Sequence, residues 1–190
     1  YNSPVASAQV KSCIMLAALS AEGVTKITEP HLSRDHTERM LRYLGAEVKN
    51  EGNSIVFHGK EAYSKLKAKE IFVPSDISSA AFFMVAAAIL EDAEITVKDI
   101  GLNPSRTGIL EAFDLMNVDY EILNQREVNG EIVADILVES SELKGIEIPA
   151  SRAPSMIDEY PILSVAAAHA SGVTKMNGVG ELKVKESDRL

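Results

Sequence analysis

The sequence predicts a mixed α/β (α+β) fold assembled from repeated β-α-β-α-β-β units, and three observations carry that expectation. One pattern recurs three times: residues 7–29, 78–100 and 156–178 each pass from a polar start through an Ala-rich apolar stretch to a short strand marked Val24-Thr-Lys, Ile95-Thr-Val or Val173-Thr-Lys. In the first two copies a loop, a second helical segment and two alternating strands follow. Hydrophobic residues make up 46% and charged residues 25% of the 190 positions, the balance of a globular chain with a sizeable core. The longest apolar run, residues 80–90, falls well short of the about 20 residues that span a bilayer, so it reads as a buried helix.

The elements follow in order. With Thr25, Thr96 and Thr174 in register, Gln9, Ala80 and Asp158 occupy one equivalent place, the first turn of the Ala-rich helix. Ser7 and Gln9 open the first copy, Ser78 and Ser79 the second, and Asp158 the third. A second helix is expected over 35–44, with Met40, Leu41 and Leu44 at helical spacing and Gly45 as its C′ residue. Strands at 46–49 and 54–58 follow, turning at Asn50-Glu-Gly-Asn. The second copy closes likewise, with strands at 118–123 and 132–138 around Asn129-Gly130. The third reaches Leu190 within the expected first turns of its second helix. The chain also begins at Tyr1 directly before a helix, so it is expected to be an excised middle portion of a longer protein. Val73-Pro74-Ser75-Asp76 joins the first copy to the second, and the stiff Pro74 is the expected domain break.

Composition removes several function classes. The 28 acidic against 19 basic side chains give a formal charge of −9, unlike a sequence-independent nucleic-acid binder. The lone Cys13 allows no disulfide within the chain and fits a reducing compartment; it is expected to be a small buried hydrophobe, not a nucleophile. Met84, Met116 and Met156 are expected in the core. His31 and His36 are spaced wrongly for a shared zinc, and Ser33, Asp35 and His36 are too close in the chain to face one another as a triad.

What remains is a set of polar helix starts, where unpaired N–H groups and a partial positive charge favour an anion. Loop cations accompany them: Arg34, Arg106 and the run Lys185-Glu-Ser-Asp-Arg189. The bland alternative is capping by Ser7, Ser78 and Asp158, solvated loop arginines, and a charged helix start at 185–189.

Six stretches resemble one family: Ser7-Ala-Gln-Val-Lys-Ser, Glu29-Pro-His-Leu-Ser-Arg-Asp-His-Thr-Glu-Arg-Met-Leu, Asp76-Ile-Ser-Ser-Ala-Ala-Phe-Phe, Gly101-Leu-Asn-Pro-Ser-Arg-Thr-Gly, Ile157-Asp-Glu-Tyr-Pro and Val184-Lys-Glu-Ser-Asp-Arg-Leu. The chain is similar to the central part of 5-enolpyruvylshikimate-3-phosphate synthase (3-phosphoshikimate 1-carboxyvinyltransferase), in the bacterial form often called class II. The resemblance implies an inside-out α/β barrel of the enolpyruvyl transferase type. Residues 1–74 would be the last unit of one domain, and 75–190 two units, the second truncated, of the other. It implies transfer of the enolpyruvyl group of phosphoenolpyruvate to the 5-hydroxyl of shikimate 3-phosphate, with release of phosphate and with no metal or organic cofactor. Ser7, Ala8, Gln9, Arg34, Asp158 and Lys185 would bind shikimate 3-phosphate; Gln9, Glu186 and Arg189 would bind phosphoenolpyruvate. Asp158 would accept the proton of the attacking hydroxyl and Glu186 would protonate the enol methylene. The full enzyme would be a cytoplasmic monomer that uses neither nucleic acid nor membrane, and this stretch alone would be inactive. The alternatives are an enolpyruvyl transferase acting on UDP-N-acetylglucosamine and a non-catalytic anion-binding module of the same fold.

Overall fold

A computed structural model describes all residues, 1–190. The chain divides into two compact units, Tyr1–Phe72 with Val128–Glu131, and Val73–Glu127 with Ile132–Leu190.

The first unit runs α1 (Ala8–Ala18), β1 (Val24–Thr28), α2 (His36–Tyr43), β2 (Lys49–Glu51), β3 (Ser54–His58) and α3 (Gly59–Lys65). Its sheet has the order β1-β3-β2, all antiparallel, with Ile27 opposite Ile55 and Asn50 opposite Ile55 on the other side. An extended segment at Asn2 pairs in parallel with Thr28, so the opening strand of the repeat survives as a single bridge. The second helix ends as its sequence requires: the Gly45 N–H bonds to the Arg42 carbonyl and the Ala46 N–H to that of Leu41, with Gly45 at φ +110°. The helix α3 was not expected; only Gly59 and Ala62 are buried, so its apolar periodicity is too weak to read. Met15, Ile27, Leu41, Val48 and Phe57 form the core of this unit.

The second unit repeats the plan with α4 (Ile77–Ile89), β4 (Glu94–Gly101), α5 (Gly108–Met116), β5 (Asp119–Val128) and β6 (Glu131–Glu139). The order β4-β6-β5 matches that of the first unit, the last strand again inserting between the other two. Asn129 and Gly130 form the hairpin turn at φ +55° and +81°. Ser75 bridges Ile100 in parallel, in the place that Asn2 takes in the first copy. A third, partial copy follows: β7 (Glu147–Ile148), α6 (Ala153–Met156), α7 (Tyr160–His169) and β8 (Lys175–Met176), with β7 and β8 parallel. The β-α-β crossover is thus present three times.

The core of this unit centres on Ala81, Met84, Ile109, Phe113, Met116, Ile136, Met156 and Leu163, all at most 1% exposed, which places the three methionines where the sequence puts them. Two local expectations need correction. Cys13 is exposed, because α1 is apolar on most of its surface but buries only Lys11, Met15 and Ala18. Residues 185–187 form bends and 188–190 are irregular after a 3-10 helix at Val179–Val184, so the expected second helix of the third copy is not seen there. No helix is long and apolar enough to cross a membrane.

Candidate functional site

In the first unit the candidate residues gather at the start of α1. Ser7 is the N-cap, in extended backbone at φ −140°, and its hydroxyl oxygen accepts from the Val10 N–H at 3.3 Å. The capping reading of Ser7 therefore holds, yet the hydroxyl proton stays available to a ligand. Ala8 and Gln9 follow as the first helical residues, whose N–H groups precede the helical ladder. Arg34 lies half-buried in the loop between β1 and α2.

Below this helix start lies a charged network that sequence reasoning missed. Lys11 is 2% exposed and sits between two buried carboxylates, its Nζ 3.1 Å from Glu29 and 2.9 Å from Glu38. Glu29 in turn accepts from the Ser7 N–H at 3.2 Å and from the Ser33 hydroxyl at 2.7 Å. The available signal was Lys11 itself, a cation four residues after Ser7 in an otherwise apolar helix, which must find buried partners if that face packs inward.

In the second unit the start of α4 is capped by Asp76, which accepts from the Ser79 N–H at 3.1 Å; Ser78 and Ser79 lie in the first turn, as expected, but the cap is Asp76 and not Ser78. Arg106 is not a solvated loop charge, since its guanidinium lies 2.8 Å from Asp76 and donates to the Ser78 hydroxyl.

The third copy differs in a way that bears on chemistry. Its helical stretch is broken over residues 157–159, and Asp158 occupies that break instead of capping α7; the N-cap position belongs to Glu159. Two cations reach the Asp158 carboxylate: Lys185 Nζ at 3.6 Å and Arg189 Nη1 at 3.2 Å. Arg189 also donates through Nη2 to Glu186, and Lys185 lies 3.4 Å from Glu181. The Glu186 backbone N–H and then the Arg189 guanidinium hold the Glu186 carboxyl below the usual carboxylate range. The Arg189 N–H bonds the Leu182 carbonyl, and Leu182 is buried in the core, which anchors the bends that carry these cations. A carboxylate flanked by an ammonium and a guanidinium can take a proton from a hydroxyl while its cations hold an anionic substrate. The structure thus gathers Asp158, Lys185, Glu186 and Arg189 in one cluster, and Ser7, Ala8 and Gln9 at one helix start.

The family model of EPSP synthase (3-phosphoshikimate 1-carboxyvinyltransferase) matches residues 1–190. The chain belongs to this family. Among EPSP synthase relatives, the 3-phosphoshikimate 1-carboxyvinyltransferase of Geobacter metallireducens is 54% identical over the whole chain. The chain spans 44% of that relative's length, and the same share of the relative from Geobacter sulfurreducens, which is 53% identical. The EPSP synthase of Acinetobacter baumannii superposes with a TM-score of 0.92 at 53% identity, over 100% of this chain and 42% of its own. The enolpyruvyl transferase NikO of Streptomyces tendae, at 21% identity and a TM-score of 0.60, shares the fold. The repeated α/β architecture read from the sequence is therefore that of the enolpyruvyl transferases.

Proposed function

We propose that this chain is the central part of an enzyme that moves the enolpyruvyl group of phosphoenolpyruvate onto the 5-hydroxyl of shikimate 3-phosphate. The observation that carries the reading is the Asp158 carboxylate held between Lys185 and Arg189. Whole-chain identity above 50% to proteins named for this reaction supports it. In this reading Ser7, through its hydroxyl, and the Ala8 and Gln9 amides take the substrate phosphate at the positive end of α1, and Arg34 adds a guanidinium. Lys185 and Asp158 take the hydroxyl-bearing ring, and Gln9 contacts both substrates.

Asp158 removes the hydroxyl proton as its oxygen bonds to the central carbon of phosphoenolpyruvate, and Glu186 delivers a proton to the methylene carbon. The resulting tetrahedral adduct then loses a methyl proton and phosphate, which restores the enol ether double bond. Glu186 reaches this role through Arg189. While Arg189 holds it, the carboxyl stays below its ordinary range and is a poor acid. When the carboxylate and phosphate of phosphoenolpyruvate draw Arg189 away, the backbone N–H remains but the guanidinium's share of that restraint is lifted, which moves the group back toward its ordinary range and makes it a better proton carrier. Residues 1–74 belong in this reading to one domain and 75–190 to the other, in a cytoplasmic monomer.

The test is phosphate release by the full-length protein that contains this chain, with phosphoenolpyruvate and either shikimate 3-phosphate or UDP-N-acetylglucosamine. Turnover with the first acceptor and none with the second is expected, and the 190-residue stretch alone should be inactive. Turnover confined to the UDP-sugar, or absent with both acceptors, would reject the reading.

A further inference from the structure

Resting on the reading just given, we infer that Lys11, Glu29 and Glu38 are positioning residues: they hold Ser7 and the loop before Arg34 in the arrangement that binds the substrate phosphate. The three come from three elements. Lys11 is in the second turn of α1, where its own N–H bonds to the Ser7 carbonyl at 3.0 Å. Glu29 directly follows β1, and Glu38 is in the first turn of α2. All three are at most 3% exposed. Glu29 joins them to the binding surface, because its carboxylate takes the Ser7 N–H at 3.2 Å, the Ser33 N–H at 3.4 Å and the Ser33 hydroxyl at 2.7 Å. Lys11 completes the link by donating to the Ser33 carbonyl at 3.3 Å. Ser33 is the residue before Arg34, so one carboxylate ties the helix start to the loop that carries the guanidinium.

The arrangement is poorly suited to stability alone. Two carboxylates face one ammonium away from water, and Glu38 Oε2 is buried with no partner. Apolar side chains of similar volume usually serve a core as well as or better than such a group. What apolar side chains cannot do is fix directions. The charged trio sets the position of the Ser7 amide and, through it, where the Ser7 hydroxyl and the Ala8 and Gln9 N–H groups point. Because Glu29 already occupies the Ser7 N–H, the phosphate is left with those three donors. A second link, the 2.6 Å hydroxyl contact between Ser12 and Thr37, ties α1 to α2 at the residues next to Lys11 and Glu38 and keeps the helices paired when the trio is altered.

The experiment compares Lys11→Met, Glu29→Ala and Glu29→Gln with the unsubstituted full-length enzyme, by steady-state kinetics in each substrate. Lys11→Met and Glu29→Ala are expected to raise KM for shikimate 3-phosphate by about tenfold or more while KM for phosphoenolpyruvate and kcat change less than about threefold. Glu29→Gln keeps an oxygen that accepts from Ser7 and should recover most of that loss. A purely structural role would instead lower the amount of active enzyme and leave both KM values in place, and that result would overturn the inference. Should Lys11→Met and Glu29→Ala not fold, Ser33→Ala decides: it removes only the hydroxyl donor to Glu29, and an unchanged KM for shikimate 3-phosphate rejects the role. Failure of the unsubstituted enzyme to turn over shikimate 3-phosphate would instead reject the function on which this inference rests.

Discussion

Replacing Asp158 by Asn separates chemistry from scaffolding, because the two effects differ widely in size. The amide keeps the shape of the side chain but removes the proposed proton acceptor and leaves Lys185 and Arg189 facing a neutral group. Loss of a positioned general base costs about 10²–10⁴ in rate, which is about 3–5 kcal/mol of activation free energy. The structural cost is much smaller. The three side chains are 22–28% exposed, so each ion pair is largely answered by water and worth about 0–1 kcal/mol. Two lost pairs then cost less than about 2 kcal/mol of stability. Ser7, Ala8 and Gln9 are untouched, and the amide oxygen can still accept from the ring hydroxyls that Asp158 is proposed to hold, so calorimetric affinity for shikimate 3-phosphate should change only about threefold, within about 0.7 kcal/mol. The measurement is kcat of the full-length variant beside its urea midpoint and its substrate affinity. A variant that keeps more than about a tenth of the original kcat would refute the proton-acceptor role. So would a loss of rate that merely tracks loss of folded protein.

Two further perturbations test the fold around these sites. A methyl group at Gly59 would sit 1.8 Å from the Ala18 carbonyl oxygen and 2.8 Å from that of Ala21, which accepts from the Lys60 N–H. Gly59→Ala should therefore cost about 2–4 kcal/mol through crowding and a lost backbone bond, read as a lower urea midpoint; an unchanged midpoint would mean that α3 shifts freely. Burial works against the charge on Asp76, but Arg106 and the Ser79 N–H outweigh it and hold the carboxyl below the usual Asp range. With a folded value below the unfolded one, this contribution is complete above about pH 4 and is lost as pH falls through the folded value. The stability difference between the unsubstituted protein and Asp76→Asn should be constant from about pH 7 to 5 and shrink below about 4; a difference that grows on acidification would contradict the assignment.

Repetition made the fold readable. A single Ala-rich stretch is ambiguous between helix types, but three in register fix the element order, and Gly45 and Asn129-Gly130 mark their boundaries through backbone conformations that few residues adopt. Misreadings arose where an element's environment lies beyond its own periodicity. Cys13 looks buried because α1 is apolar nearly all round, and only tertiary packing selects the face that turns inward. The irregular stretch 185–190 looks like a helix start because its charges suit one. The candidate site was legible in part. Asp158, Lys185 and Arg189 are 31 residues or fewer apart and carry recognisable chemistry. For the trio beneath Ser7 the sequence offers only the hint of Lys11 within an apolar helix; its partners Glu29 and Glu38 carry no signal of their own, and only the folded chain brings the three together.

The interruption at residues 157–159 has a consequence for anyone who reads mutational scans of this region. Met156 and Ile157 on one side and Tyr160 and Leu163 on the other are locked into the hydrophobic interior, so the Asp158 carboxylate, the proposed proton acceptor, is mounted on a short span between two fixed posts. Its aim depends on residues that never meet a substrate. Trimming any of those four side chains should blunt turnover as surely as an error in the machinery itself, and a survey scored on activity alone would mistake the mounting for the tool.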